Sequence, residues 1–266
     1  MNWKLGVRYE VLPGDNAVAR FANAARYGFD AVELPGRYLS EYREDLLASL
    51  PKLALPISSL SLGFRGSLVS SDAEVRKVCQ GDIRDLLDFC AKVGATGLVM
   101  PPVLHMDPCP RVKASPDKSR EEVEDHLLLE ALPELAQFAS DRGVRLMLEP
   151  VNSMETDYMT TVAHAARICD TVAHDGLGIT IDFFHMQTTE LDTPAAIEGG
   201  AAWIRHVHVA ENTRVEPGPG QLNFAPGFEA LRRIGYDGSV VVECRSLSGP
   251  ADEVLPMSAQ YLRGLF

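Results

Sequence analysis

Hydrophobic positions along the chain follow two rhythms. Short apolar runs predict strands at Leu5–Tyr9, Ala31–Leu34, Ile57–Leu62, Gly97–Met100, Arg145–Glu149, Gly178–Asp182, His206–Val209 and Val240–Glu243. Longer stretches with helical spacing separate them, including Asn16–Tyr27, Ala73–Val93, Arg120–Arg142, Thr161–Ala173 and Phe228–Ile234. Gly28, Gly94, Gly143 and Gly235 stand just past helical stretches, where a left-handed residue stops a helix before the next strand. Eight such units in 266 residues, about 33 residues each, predict an α/β chain folded as a (β/α)8 TIM barrel, one domain over residues 1–266. A doubly wound open sheet fits less well, because no GxGxxG turn follows the first strand. Two connections are longer than a barrel needs, Gly63–Asp72 and Pro101–Ser119. The second holds five prolines and mixed charge, which suits a cover over an active site better than a core element.

Composition narrows the function classes. The net charge of −12 disfavours nucleic acid or an anionic membrane as the main partner and suits a neutral small molecule. Cys79, Cys90, Cys109, Cys169 and Cys244 are odd in number, scattered and never spaced CxxC, so neither a disulfide framework nor a zinc knuckle is expected. The first residues lack a secretory pattern and no apolar run approaches membrane-spanning length, so the default expectation is the cytoplasm.

The chemistry lies at strand ends. Glu149, Asp182, His208 and Glu243 each close an apolar strand, where an unpaired charge is costly to bury. The C-terminal strand ends of a barrel converge on one mouth, so these four meet although distant in sequence. Alternation along each strand turns Leu148, Ile181, Val207 and Val242 outward and their ionisable neighbours inward. Three carboxylates and an imidazole call for a cation. The oxygen-rich set suits one divalent ion such as Mn²⁺, Mg²⁺ or Co²⁺, with Zn²⁺ also compatible. The bland alternative is a set of separate structural acids, each paired with an arginine.

The runs Leu148-Glu149-Pro150-Val151-Asn152, Ile181-Asp182-Phe183-Phe184-His185-Met186, His206 to Arg214 and Gly235 to Glu243 resemble the xylose isomerase-like barrel superfamily. Within it they are most similar to the D-tagatose 3-epimerase group of ketose 3-epimerases. The likeness is strong over roughly residues 140–245 and is only barrel rhythm before that. It implies that Glu149, Asp182, His208 and Glu243 bind the metal, Mn²⁺ foremost, and that Glu149 and Glu243 are the acid–base pair on opposite faces of the substrate. It also implies that Glu155, His185 and Arg214 contact sugar hydroxyls, and that the enzyme is a homodimer. The implied reaction is proton transfer at the carbon beside the ketone of a small ketose or polyol ketone, the metal stabilising the enediolate.

One departure from the group is Cys244-Arg245 after the last glutamate, where those epimerases have proline. Arg245 is therefore either a reader of an anionic substrate group or a surface arginine paired with an acid. His206 reads as a hydrogen-bonded core histidine one layer below His208. His105 reads as exposed, and His126, His164 and His174 as surface residues of helices. Cys244 is expected to be buried and inert. Phe64 is mostly core but is placed to wall a sugar site. Three other functions compete: a lyase or dehydratase acting on a keto sugar through the same metal site, an AP endonuclease, and a non-catalytic barrel. The third strand ends Ser61-Leu62-Gly63 without a histidine and the chain is acidic, which argues against the endonuclease. Retention of both glutamates argues against the non-catalytic barrel.

Overall fold

The structure, a computed structural model, describes residues 3–218 and 220–266. Eight strands, β1 (Lys4–Arg8), β2 (Ala31–Pro35), β3 (Ile57–Ser61), β4 (Gly97–Met100), β5 (Arg145–Leu148), β6 (Leu177–Asp182), β7 (Ile204–Val209) and β8 (Ser239–Val242), pair in sequence order into a closed barrel. All neighbours run parallel, and β1 closes on β8 with Leu5 opposite Val240 and Val7 opposite Val242. The barrel expected from the apolar rhythm is the barrel observed.

Nine helices lie among the described residues: α1 (Ala17–Arg26), α2 (Leu39–Ser49), α3 (Ala73–Val93), α4 (Arg120–Ser140), α5 (Val162–Val172), α6 (Phe183–Thr189), α7 (Thr193–Gly199), α8 (Ala225–Arg233) and α9 (Ala251–Arg263). Their starts follow local chemistry. Asn16, Asp72 and Thr161 each accept a backbone N–H of the first turn, and Ser119 with Glu122 forms a reciprocal capping box. Gly94, at φ +74°, ends α3 as the sequence implied. Outward strand residues such as Leu34, Leu60, Leu146 and Val207 meet Phe21, Phe89, Leu132, Ile168 and Leu231 in one apolar layer with no exposed member. No described helix is long and apolar enough to cross a membrane.

The inner face of the barrel is polar towards its C-terminal end. Arg8, Glu33, Ser59, Thr180, Asp182, His206 and His208 share the inward parity of their strands, and all except Arg8 are buried residues. The segment 101–119 is irregular, as expected, yet it is tied down. His105 N donates to Glu155 O at 2.8 Å, Ser71 N donates to Pro110 O at 2.9 Å, and Arg111 bonds both Glu124 and Asp157. Several anchors thus hold it in place.

Two histidines differ from expectation. His164 lies on α5 but is buried, its Nε2 2.7 Å from Asp125 Oδ1 and its ring edge-on to Tyr158. His174 stands in the α5–β6 connection, half-buried beside Gln137. Asp125 is 39 residues before His164, a pairing that linear spacing does not reveal. His126 and His105 are exposed as expected.

Candidate active site

Each of the four inferred metal ligands is carried to the barrel mouth by its strand. Asp182 is the last residue of β6, and its Oδ1 caps α6 by accepting from Phe184 N at 2.9 Å. His208 lies within β7. Glu149 and Glu243 stand one residue beyond β5 and β8, a small correction to the expected strand limits. Their amides still extend the ladder, Glu149 N to Met100 O at 3.1 Å and Glu243 N to Val209 O at 3.0 Å. All four are buried, and one ligand atom from each lies within 4.8 Å of every other. His208 Nδ1 is 3.1 Å from Glu149 Oε1 and 3.4 Å from Glu243 Oε2.

A divalent cation fits this arrangement. Among the described residues Asp182 Oδ2 is buried with no hydrogen bond, its nearest polar neighbours being His185 Nε2 at 3.4 Å and Arg214 Nη2 at 3.7 Å, so a cation seated between it and the other ligand atoms would satisfy it. His208 Nε2 is engaged elsewhere, 3.0 Å from Glu33 Oε2, which leaves Nδ1 as the ligand atom aimed at the carboxylates.

Glu33 is the residue the sequence reading missed. Its Oε2 accepts from Ser59 Oγ at 2.6 Å and lies 2.9 Å from His206 Nε2 and 3.0 Å from His208 Nε2. Burial opposes its charge, yet the two imidazoles prevail and hold its carboxyl well below the usual range. His206 is a hydrogen-bonded core residue as expected, and burial pushes its own pKa down. A charged residue in the middle of Ala31-Val32-Glu33-Leu34, with the inward parity of its strand, carried the same signal as the strand-end acids. Arg8 in β1 carried it too.

The two glutamates occupy unlike surroundings. Glu243 binds Arg8 through Oε1 and accepts from Arg214 Nη2 at 2.8 Å through Oε2. Burial raises its pKa, but His208, Arg214 and Arg8 outweigh that and bring it to about 2. Among the described residues the Glu149 carboxylate hydrogen-bonds His208 alone, and burial pushes its carboxyl up. Asp182 is raised to about 6, chiefly by burial. His208 is held well above its ordinary value, because Glu33, Glu243 and Glu149 overcome the cost of burial.

The three inferred substrate contacts also converge. Arg214 Nη1 donates to Glu155 Oε1 at 3.2 Å and lies 3.3 Å from His185 Nε2, while its guanidinium stacks on Phe184 at 4.4 Å. Arg214 sits at φ +59°, a conformation uncommon outside glycine. Burial lowers the His185 pKa to about 4, so its ring is neutral. Asn152 sets the tautomer. Its Oδ1 accepts from Met154 N and Glu155 N, so its Nδ2 faces His185 Nδ1 at 2.8 Å and leaves the proton on Nε2. Nε2 lies 3.4 Å from Asp182 Oδ2, outside hydrogen-bonding geometry. Asn152 is thus a second residue whose role the sequence reading did not see. Arg245 is largely exposed, with Glu155 Oε1 at 3.8 Å, and lies at the rim. Cys244 is buried and its thiol is pushed up to about 12, in keeping with inertness. A cavity of about 850 Å³ between α5 and α7 touches none of these side chains and belongs to the outer surface.

Residues 21–265 match the family model described as xylose isomerase-like TIM barrel. Among curated proteins, the chain is 31% identical to the 3-dehydro-D-guloside 4-epimerase of Escherichia coli over 248 residues, covering 91% of this chain and 92% of that one. It is 30% identical to the ketose 3-epimerase of Arthrobacter globiformis, with 95% and 82% covered. The crystal structure of the 3-keto-D-glucoside 4-epimerase from E. coli superposes with a TM-score of 0.87 at 28% identity, over 98% of this chain and 99% of that one. The family model spans most of the chain and these relatives match almost end to end, so the chain belongs to the xylose isomerase-like TIM barrel family.

Proposed function

We propose that this protein is a metal-dependent sugar epimerase that moves a proton at the carbon beside a ketone. The carrying observation is the buried cluster of Glu149, Asp182, His208 and Glu243, whose ligand atoms all lie within 4.8 Å of one another. The relatives named above are epimerases of ketoses or of 3-keto-glycosides, which supports the same reaction class. Glu149, Asp182, His208 and Glu243 would hold one divalent ion, Mn²⁺ by preference. Bound there, it would supply Lewis-acid stabilisation of negative charge on the ketone oxygen and its neighbour.

The protein's own groups do the rest. Glu149 and Glu243 are the acid–base pair: one accepts the substrate proton, the other returns a proton from the other face and so inverts the centre, and the roles exchange with the direction of the reaction. His185, neutral and oriented by Asn152, donates its Nε2 proton to a substrate hydroxyl. Arg214 steadies Glu243 and Glu155 together, and Glu155 accepts from an outer hydroxyl. The substrate is a small neutral sugar ketone, and a homodimer belongs to the same reading.

The test is a panel of ketoses and 3-keto-glycosides incubated with metal-loaded protein and followed by NMR. Appearance of an epimer that EDTA suppresses and Mn²⁺ restores supports the assignment. Loss of water from the sugar, read as an unsaturated product, would make the enzyme a lyase instead. Turnover unaffected by complete metal removal would reject the metal.

A further inference from the structure

The opposite end of the barrel has a cavity of its own. Its volume is about 450 Å³, within the range of roughly 300–1,000 Å³ typical of small-molecule sites. The lining comes from the N-terminal ends of β4, β5, β7 and β8 and includes Arg145, Arg205, Met147, Ile204 and Ile234. Arg145 opens β5 and precedes Glu149 by four residues, a separation of about 13 Å along an extended strand. No residue of the inferred metal cluster lines this cavity.

The strands bring both arginines there. Arg145 has the parity of Glu149 and so faces the inside of the barrel. Arg205 alternates with the inward His206 and on a regular strand would face the helices. A bulge re-aims it. Ile179 pairs with Ile204 and Thr180 with His206, which leaves Arg205 as an extra residue in β7. Its stem lies over Gly178, which shares the inward parity of Thr180 and Asp182, and an added Cβ there would stand 2.7 Å from Arg205 Cγ. Glycine at this position leaves the room that the arginine occupies.

Charge defines the ligand. Among the described residues the half-buried Arg145 guanidinium makes no hydrogen bond and no ion pair, and its Nε is shut off from solvent. Arg205 donates only to backbone, from Nη1 to Ile204 O at 3.0 Å and from Nη2 to Ala202 O at 2.7 Å, which uses part of its fork and cancels none of its charge. The exposed Asp175 and Asp237 act on it from a distance, and neither forms an ion pair with it. Burial, and then the like charge of Arg145, press the Arg205 guanidinium below its ordinary value. Two cations that repel each other in one cavity are relieved by a dianion, and guanidinium forks match phosphate oxygens. A carboxylate would balance only one of them. Met147, Ile204 and Ile234 offer an apolar wall beside them for a carbon skeleton.

We infer that this cavity binds a small phosphomonoester, its phosphate held between Arg145 and Arg205 and its carbon body against Met147, Ile204 and Ile234. The site is separate from the reaction proposed above and does not depend on its metal.

The test is calorimetry with glycerol 3-phosphate as the probe and glycerol and acetate as controls, at physiological salt, on protein treated with EDTA and on protein loaded with Mn²⁺. Wild-type protein should bind glycerol 3-phosphate with a Kd of about 1 mM or tighter in both forms, and glycerol and acetate at least about tenfold more weakly. Arg145→Gln and Arg205→Gln should each weaken the phosphomonoester by about tenfold or more, whereas Arg84→Gln, on α3, should leave it unchanged. No binding by the wild type, or equal weakening by Arg84→Gln, would overturn the site. So would binding that needs Mn²⁺ and survives both cavity substitutions, since the phosphate would then lie on the metal. A wild-type crystal soaked in tungstate, a heavy analogue of phosphate, decides the matter even where a variant fails to fold. The tungsten peak should stand between Arg145 and Arg205, and its absence there would overturn the inference.

Discussion

The two halves of the barrel mouth are built on different principles. Around β5–β8 each strand ends in a buried ionisable side chain, and their ligand atoms crowd within 4.8 Å of one another. Around β1–β4 the inward residues include Arg8, Glu33 and Ser59, and these turn towards the first group. Glu33 holds the far nitrogen of His208 and Arg8 holds Glu243. On the proposed reading, one half presents groups to an ion and a substrate, and the other aims those groups and sets their charge. Buried charge is costly unless paired, so a site with this much of it needs a supporting half.

The largest effect should come from the presenting half. Glu149→Gln and Glu243→Gln should each lower kcat by roughly 10²–10⁴-fold, the usual worth of a positioned acid or base. Either amide oxygen can still face the ion, so inductively coupled plasma analysis should find metal retained. Near-normal turnover in either variant would break the division of labour.

Glu33→Gln probes the supporting half without touching the ion. Loss of the carboxylate behind a ligating histidine should weaken metal binding by roughly 10–100-fold, measured by competition with a chromophoric chelator. Unchanged affinity would reduce Glu33 to a packing residue.

Acid should act on the same balance. The metal-free protein favours protonated His208, and Asp182 is raised to about 6, so binding an ion must expel those protons. Both pKa values lie above their ordinary values, so the proton competes more strongly as pH falls. Metal affinity should drop by about tenfold or more per pH unit below about pH 6 and recover as pH rises. A pH-independent affinity would contradict the assigned ligand set.

The smallest effect is expected at Asn152. Asn152→Ala frees the ring of His185 and should raise KM by about five- to tenfold with little change in metal affinity. Loss of metal in this variant would place His185 on the ion instead of the substrate.

The two halves also differed in how far they could be read from the sequence. Strand-end acids stand out because Leu, Ile and Val precede them, and the words around Glu149, Asp182, His208 and Glu243 resemble a known family together. Glu33 and Arg8 lie within strands of the first half, where the likeness is only barrel rhythm, so no motif drew attention to them. Asn152 was inside a quoted motif, yet its role depends on a fold-made contact with His185, 33 residues away. The short helices α6 and α7 have seven residues each, too few turns for an apolar period to show. His164 was misread for a related reason, because burial of an imidazole depends on a partner brought in by another helix.

The central claim is that two opposed glutamates pass a proton through the substrate carbon. Its most direct test is turnover of a keto sugar by the metal-loaded enzyme in D₂O, with the product analysed by NMR. The account predicts deuterium at the carbon next to the ketone, because the proton taken by one glutamate exchanges with solvent and the other glutamate returns a solvent-derived one. Epimerised product without deuterium, formed by fully active enzyme, would contradict it and leave an internal hydrogen shift in its place.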